Sequence, residues 1–192
     1  MIISHQNKFI FIKTNKTSST SYEIYLSQFC GALDTITPFR EVDQQKRIKL
    51  GYRSSQNYEG YYNHIPAKEI KNKVGDHVWN NYYKFCIERH PCERFVSLYY
   101  WKTNGSISIN EFFTYKNLKL LKDRGYGLYT IEDKIVVDEI LKYEELDHSL
   151  LPKAKTDSRK DHRSYKEILS PAQINYIADM FEKEMRLFNY EV

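Results

Sequence analysis

Twice along this chain a short, almost uninterrupted apolar run gives way to a polar turn and then to hydrophobic residues at helical spacing. The first run is Lys8-Phe-Ile-Phe-Ile-Lys13, followed by polar Thr14 to Thr17 and then by Tyr22, Tyr25, Leu26 and Phe29. The second is Tyr82-Tyr-Lys-Phe-Cys-Ile-Glu-Arg89, followed by Pro91 and then by Phe95, Leu98 and Tyr99. A strand that is apolar at successive positions needs cover on both faces, as in sheets flanked by helices on either side. Gly31 suits the end of the first helix and Pro91 the start of the second.

The remaining segments extend the same pattern. Pro66 opens a short helix that Gly75 ends, and residues 109–121 read as helical. Residues 134–141, with Ile135, Val136, Val137 and Ile140, predict a third strand. Ser170-Pro171 then starts a long final helix carrying Ile174, Ile177, Phe181 and Phe188. Residues 34–64 predict loops with one short strand. Strands alternating with helices give an α/β fold with a mainly parallel central sheet flanked by helices. A chain of 192 residues accommodates one domain, 1–192, with a sizeable core.

Composition narrows the function classes. Hydrophobic residues are 41% and charged residues 28%, an ordinary globular balance. A net charge of +4 favours an anionic partner without demanding nucleic acid, whose binders gather Lys and Arg into a stripe. The 17 Tyr are spread along the chain rather than interleaved with basic residues, which argues against a nucleic-acid module. No run approaches the ~20 apolar residues of a membrane span. Cys30, Cys86 and Cys92 form no CxxC pair, Cys30 and Cys86 sit in apolar runs, and no signal-peptide pattern leads the sequence, so the expected setting is cytoplasmic. Six scattered histidines form no HExxH or His/Cys cluster, and no metal is expected.

Two constellations carry chemistry. In an open α/β sheet, ligands sit beyond the carboxyl ends of strands, where helix N-termini offer unpaired N–H groups and partial positive charge. Lys13-Thr-Asn-Lys-Thr-Ser-Ser-Thr-Ser21 lies at that place and adds lysines and hydroxyls. It lacks both glycines of a Walker loop. On spacing alone it reads equally as an anion site or as a cluster in which Ser18 or Ser19 caps the helix. In the second constellation, Arg89 ends a strand and Ser97 lies on the next helix, one turn from Arg94. A guanidinium fork suits a phosphate, but Arg94 reads first as the partner of Glu88 or Glu93.

The first segment resembles the "PKTxxTS" loop of the Golgi-type and bacterial carbohydrate sulfotransferases, the group that includes heparan sulfate 2-O-sulfotransferase. Lys84 through Tyr100 resembles that family's "FxxVRNPxxRxxSxYY" segment. Asn63-His-Ile-Pro-Ala67, Tyr143-Glu-Glu-Leu146 and Phe188-Asn-Tyr190 are weaker echoes. The resemblance implies a P-loop-like sulfotransferase fold and a donor, 3′-phosphoadenosine 5′-phosphosulfate. Lys16, Thr17, Ser18, Ser19, Thr20 and Ser21 would hold its 5′-phosphosulfate, and Arg89 and Ser97 its 3′-phosphate. Lys16 would stabilise the leaving group and His64 would be the general base toward a glycan or other hydroxyl acceptor. Asn15 stands for the usual Pro, and Glu-Arg-His-Pro for Val-Arg-Asn-Pro, which sets a carboxylate, Glu88, beside Arg89 as a possible competitor of the phosphate.

Alternatives stand beside this reading. His64 also reads as a turn residue before Pro66, with His77, His90 and His162 as other base candidates. The basic stretch 153–166, with Lys155, Arg159 and Arg163, reads first as a solvated loop and second as an anion grip. Tyr61, Tyr62, Trp101 and Tyr126 are candidate sugar-stacking surfaces or core residues. The rival functions are a kinase-like, Mg²⁺-dependent phosphotransferase and a degenerate nucleotide binder without turnover.

Overall fold

The structure is a computed structural model that describes residues 1–152 and 161–192. Its main sheet has five strands in the order β3-β1-β2-β4-β7. Strand β1 is Ile2–Ser4, β2 is Phe9–Ile12, β3 is Thr35–Ile36, β4 is Tyr83–Glu88 and β7 is Glu139–Lys142. The two strongest apolar runs become its centre. Ile10, Ile12 and Cys86 face one side, against Ile70 and Trp79 of helix α3 (Ala67–Asn81). Phe11, Phe85 and Ile87 face the other, against Leu26 of α1 (Ser19–Ser27). The alternation along each strand therefore explains why a nearly continuous apolar run was needed.

Parallel pairing is only partial. β2 runs parallel to β4 and β4 to β7, but β1 is antiparallel to both β2 and β3. The link between β1 and β2 is too short for a crossover, which takes a dozen residues or more, so those strands form a hairpin. The third predicted strand also divides. Residues Lys134–Ile135 (β6) pair with Thr130–Ile131 (β5) around Glu132 and Asp133, both at positive φ, and only Glu139–Lys142 joins the main sheet.

A further helix, α2 (Glu41–Lys49), lies inside the stretch read as loop. It buries Asp43, Gln44 and Arg47 while exposing Val42 and Ile48, so its apolar residues give no inward stripe. Helix α3 runs beyond Gly75, which breaks its path at φ 75°. Helix α4 (Pro91–Thr103) packs with α6 (Tyr115–Asp123), α7 (Tyr165–Ile168) and α8 (Pro171–Met180) in a third core containing Phe95, Leu98, Leu118, Ile177 and Phe181. Region 109–121 divides into α5 (Ile109–Phe112) and α6 because Thr114 caps the second helix. The final helix breaks at Phe181 into α8 and α9 (Glu182–Phe188). Cys30, Cys86 and Cys92 are all buried free thiols. No helix among the described residues is long and apolar enough to cross a membrane.

Candidate active site

Parallel pairing brings the carboxyl ends of β2, β4 and β7 to one edge, so the chain leaves the sheet at Lys13, Arg89 and Tyr143 side by side. A cleft of about 570 Å³ opens there. Lys16, Ser18, Ser19, Thr20 and Ser21 line it from one side, Arg89 and Ser97 from another, and His64 from a third. Thr17 is the exception among the sequence candidates: it is wholly buried and does not line the cleft.

The 13–18 loop is fastened by its own hydroxyls. Thr14 Oγ1 donates to the Ile87 carbonyl of β4 and accepts from Thr17 Oγ1 at 2.8 Å. Ser19 Oγ donates to the Thr14 carbonyl at 2.6 Å. Lys16 and Ser18 are held at φ 64° and 58°, a left-handed conformation costing a non-glycine residue about 1–2 kcal/mol. Ser18 occupies the cap position of α1, yet its side chain makes no capping bond. Ser19 spends its hydroxyl within the loop. The positive end of α1 is thus presented to the cleft without the side-chain cap that spacing alone allowed.

The second constellation divides its two arginines between different tasks. Arg94 is fully buried, and its Nη1 donates to Glu88 Oε1 at 2.9 Å. Glu88 Oε2 accepts from the Tyr129 hydroxyl at 3.0 Å, so this carboxylate is committed inward and away from the cleft. Arg89 instead projects into the cleft, stacked 4.0 Å over the Tyr143 ring and bridged through Nη2 to Glu93 at 3.0 Å. Its Nε is buried with no hydrogen-bond partner among the described residues, an unspent donor in a group that normally finds partners.

His64 sits in the loop before α3 at φ 63°, half-buried. Its Nδ1 is 2.8 Å from the Lys13 carbonyl. A carbonyl only accepts, so Nδ1 carries the proton and Nε2 keeps its lone pair. Burial, and then the Lys13 ammonium, push the His64 pKa down to about 3. The ring is therefore neutral at physiological pH. Beside it Asn63 lines the cleft with a buried Oδ1 that has no partner among the described residues.

The other histidines separate cleanly. His77 is exposed on α3 and outside the cleft. His90 caps α4, accepting from Cys92 N at 3.2 Å and donating from Nε2 to the Glu191 carbonyl at 2.9 Å, so both ring nitrogens are spent. His162 does line the cleft. Lys155 and Arg159 lie outside the described residues, while Arg163 is exposed and paired with Asp161 at 2.6 Å. Of the aromatic candidates only Trp101 lines the cleft, with Lys16 Nζ 5.2 Å and Arg40 Cζ 5.3 Å from its ring. Tyr62 donates to Glu69, Tyr126 donates to the Asp133 carbonyl, and Tyr61 packs into the core.

Sequence reasoning did not single out Phe39, Arg40 or Arg124, which also line the cleft, and it named Asn63 only within the echo that contains His64. Arg40 lies in the unreadable 34–64 region, and Arg124 follows a helix with no motif around it. With Lys16 and Arg89 they make four cationic side chains around a cleft that no described carboxylate lines.

Residues 1–122 match the pattern of the sulfotransferase family. The chain belongs to that family. The matched stretch carries the loop, His64, Arg89 and Ser97, whereas Tyr143 and His162 come from the unmatched third of this family member. It is also similar to an uncharacterized protein of Archaeoglobus fulgidus, 33% identical over 93 residues, which is 45% of this chain and 76% of that protein. No solved structure matches.

Proposed function

We propose that the protein transfers a sulfuryl group from 3′-phosphoadenosine 5′-phosphosulfate to a carbohydrate hydroxyl. The observation that carries this reading is a cationic cleft with two distinct anion-binding devices, an uncapped helix start and a guanidinium that keeps its Nε donor unspent among the described residues. The donor's two anionic ends need two such devices. Lys16 and the N–H groups opening α1 suit the 5′-phosphosulfate, and Arg89 with Ser97 suits the 3′-phosphate.

Transfer is an in-line displacement at sulfur. The acceptor oxygen forms a new S–O bond as the bond from sulfur to the bridging phosphate oxygen breaks, releasing adenosine 3′,5′-bisphosphate. Negative charge grows on that bridging oxygen, where Lys16 and the loop N–H groups stabilise it as preorganised electrostatics. His64 Nε2 takes the acceptor's proton, since the bond from Nδ1 to Lys13 fixes that tautomer. The low pKa of the free protein rises when the donor's negative charges arrive, because nearby anions favour imidazolium. Asn63 Oδ1 offers an acceptor for a neighbouring sugar hydroxyl.

Calorimetric titration with adenosine 3′,5′-bisphosphate, 5′-AMP and ATP–Mg²⁺ tests the donor. Wild type should prefer the bisphosphate over 5′-AMP, and Arg89→Ala should erase that preference. Equal affinity for the two in wild type would sink the reading, and a metal-dependent ATP signal would replace it with phosphoryl transfer.

A further inference from the structure

We infer that the buried Glu88–Arg94 pair is a positioning link that sets the distance between the two halves of the donor site. The inference rests on the donor reading above, with the 5′ end at the 13–21 loop and the 3′ end at Arg89. Neither side chain lines the cleft, and both are fully buried. Each nevertheless holds the backbone of one half. Arg94 Nε donates to the Asn15 carbonyl at 3.1 Å, inside the loop. Glu88 Oε1 accepts from the backbone N–H of Arg89 at 3.1 Å as well as from Arg94 Nη1. The bond between the two side chains thus joins loop to arm, beside the bond from Thr14 Oγ1 to the Ile87 carbonyl.

The surroundings fix both partners. Arg94 Nη2 donates to the Leu121 carbonyl at 2.8 Å, and Tyr129 holds the other carboxylate oxygen. Gly125 lies so close that a Cβ there would fall 2.5 Å from Nη2, so a side chain would push the guanidinium out of place. The Asn15 N–H is itself tied to the Arg124 carbonyl at 2.8 Å, which closes the frame from the loop side. A buried ion pair is weak evidence for added stability, since apolar residues of similar size often serve as well, so its use here fits geometric specification. Glu88 is also this chain's own departure from the Val of the segment it resembles, which makes the link a feature of this protein.

The test replaces both charges together, so that neither is left buried alone: Glu88→Val with Arg94→Met. Hydrogen exchange in the ligand-free protein reads the link directly. Peptides covering residues 14–18 and 87–90 should both exchange at least tenfold faster, with Glu88→Gln falling between. Faster exchange confined to 87–90, or none in either, overturns the link. Should the double variant unfold, Tyr129→Phe removes only the hydroxyl that holds Glu88, and both peptides should still accelerate by a smaller factor. Binding gives a second readout that simple loosening of the fold would not produce. Affinity for adenosine 3′,5′-bisphosphate should drop at least tenfold, while affinities for 3′-AMP and 5′-AMP stay within about twofold, because only the two-ended ligand needs the halves in register. Equal losses for all three ligands would overturn the positioning role. Absence of a bisphosphate preference in wild type would instead defeat the donor reading, leaving exchange to decide the link.

Discussion

At the carboxyl end of β2 the chain takes six residues, Lys13 to Ser18, to reach its helix, two of them at positive φ. At the end of β4 it takes two, Arg89 and His90, and Pro91 is already helical. The first turn leaves its helix start without a side-chain cap, whereas the second closes its own with the His90 ring and a proline. What the second turn offers the cleft is therefore side chains, Arg89 and Ser97. The first offers backbone dipole as well as Lys16. On the proposed reading, two units of the same architecture would thus meet anions by different physics, and a capped helix start is not an anion site merely because it follows a strand.

The largest expected effect separates the two units by kinetics. Lys16→Ala should lower kcat by on the order of 10²–10³, the usual cost of removing a donor aimed at developing charge. It should leave bisphosphate affinity comparatively unaffected. Arg89→Ala should act in the opposite sense, raising the donor KM more than it lowers kcat, because the 3′-phosphate is remote from the reacting bond. Steady-state kinetics on both variants checks the contrast. If both act on KM alone, the first unit is only a binding loop and the comparison breaks.

The second expected effect concerns the crowded interior behind the second unit. Glu184 of α9 is buried, with an unpartnered Oε1 among the described residues. Burial, reinforced by the Glu88 charge, raises its pKa to about 7. The unfolded carboxyl titrates near ~4.3, so the unfolded state releases its proton first as pH rises. Stability is therefore full below about 4.3 and falls as pH climbs through 7, by on the order of 3 kcal/mol. Glu184→Gln should raise the melting temperature at pH 8 and change it little at pH 4. Equal shifts at both pH values would show that the carboxylate carries no such penalty. Beneath the first unit the buried Glu23 is instead met by Lys13 at 2.9 Å and held below the usual carboxylate range.

Much of this was legible in the sequence, and the failures share a cause. Phe11 and Phe85, or Ile12 and Cys86, announce a doubly covered sheet because each sits among three or more consecutive apolar residues, Phe9 to Ile12 and Phe85 to Ile87. Lys16 and Arg89 were legible as strand-end residues beside those runs and Ser97 through the family resemblance, and all three line one cleft. The antiparallel β1 escaped because three residues, Ile2–Ser4, are too few to show a period. Helix α2 escaped because it buries Arg47 and exposes Val42, reversing the stripe on which periodicity depends. Arg40 and Arg124 reach the cleft by tertiary placement alone, with nothing local to mark them.

The smallest expected effect asks whether the second turn's cap is as structural as its geometry implies. His90 accepts from Cys92 N, donates to the Glu191 carbonyl and stacks on Tyr165 with ring centroids 4.6 Å apart. Loss of a cap costs ~1 kcal/mol, so His90→Ala should lower the melting temperature by about 2–4 °C in a chain of this size. His90→Asn restores a good cap and should recover most of that loss at pH 8. Burial lowers the His90 pKa, so the unfolded ring takes up its proton first as pH falls below ~6.5, and native stability declines with it. The Asn variant lacks that titration and should lose less stability than wild type between pH 7 and pH 5. Donor affinity should not follow either change, because His90 spends both nitrogens away from the cleft. A loss of affinity in His90→Asn equal to that in Arg89→Ala would place His90 in the binding machinery and erase the division of labour between the two turns.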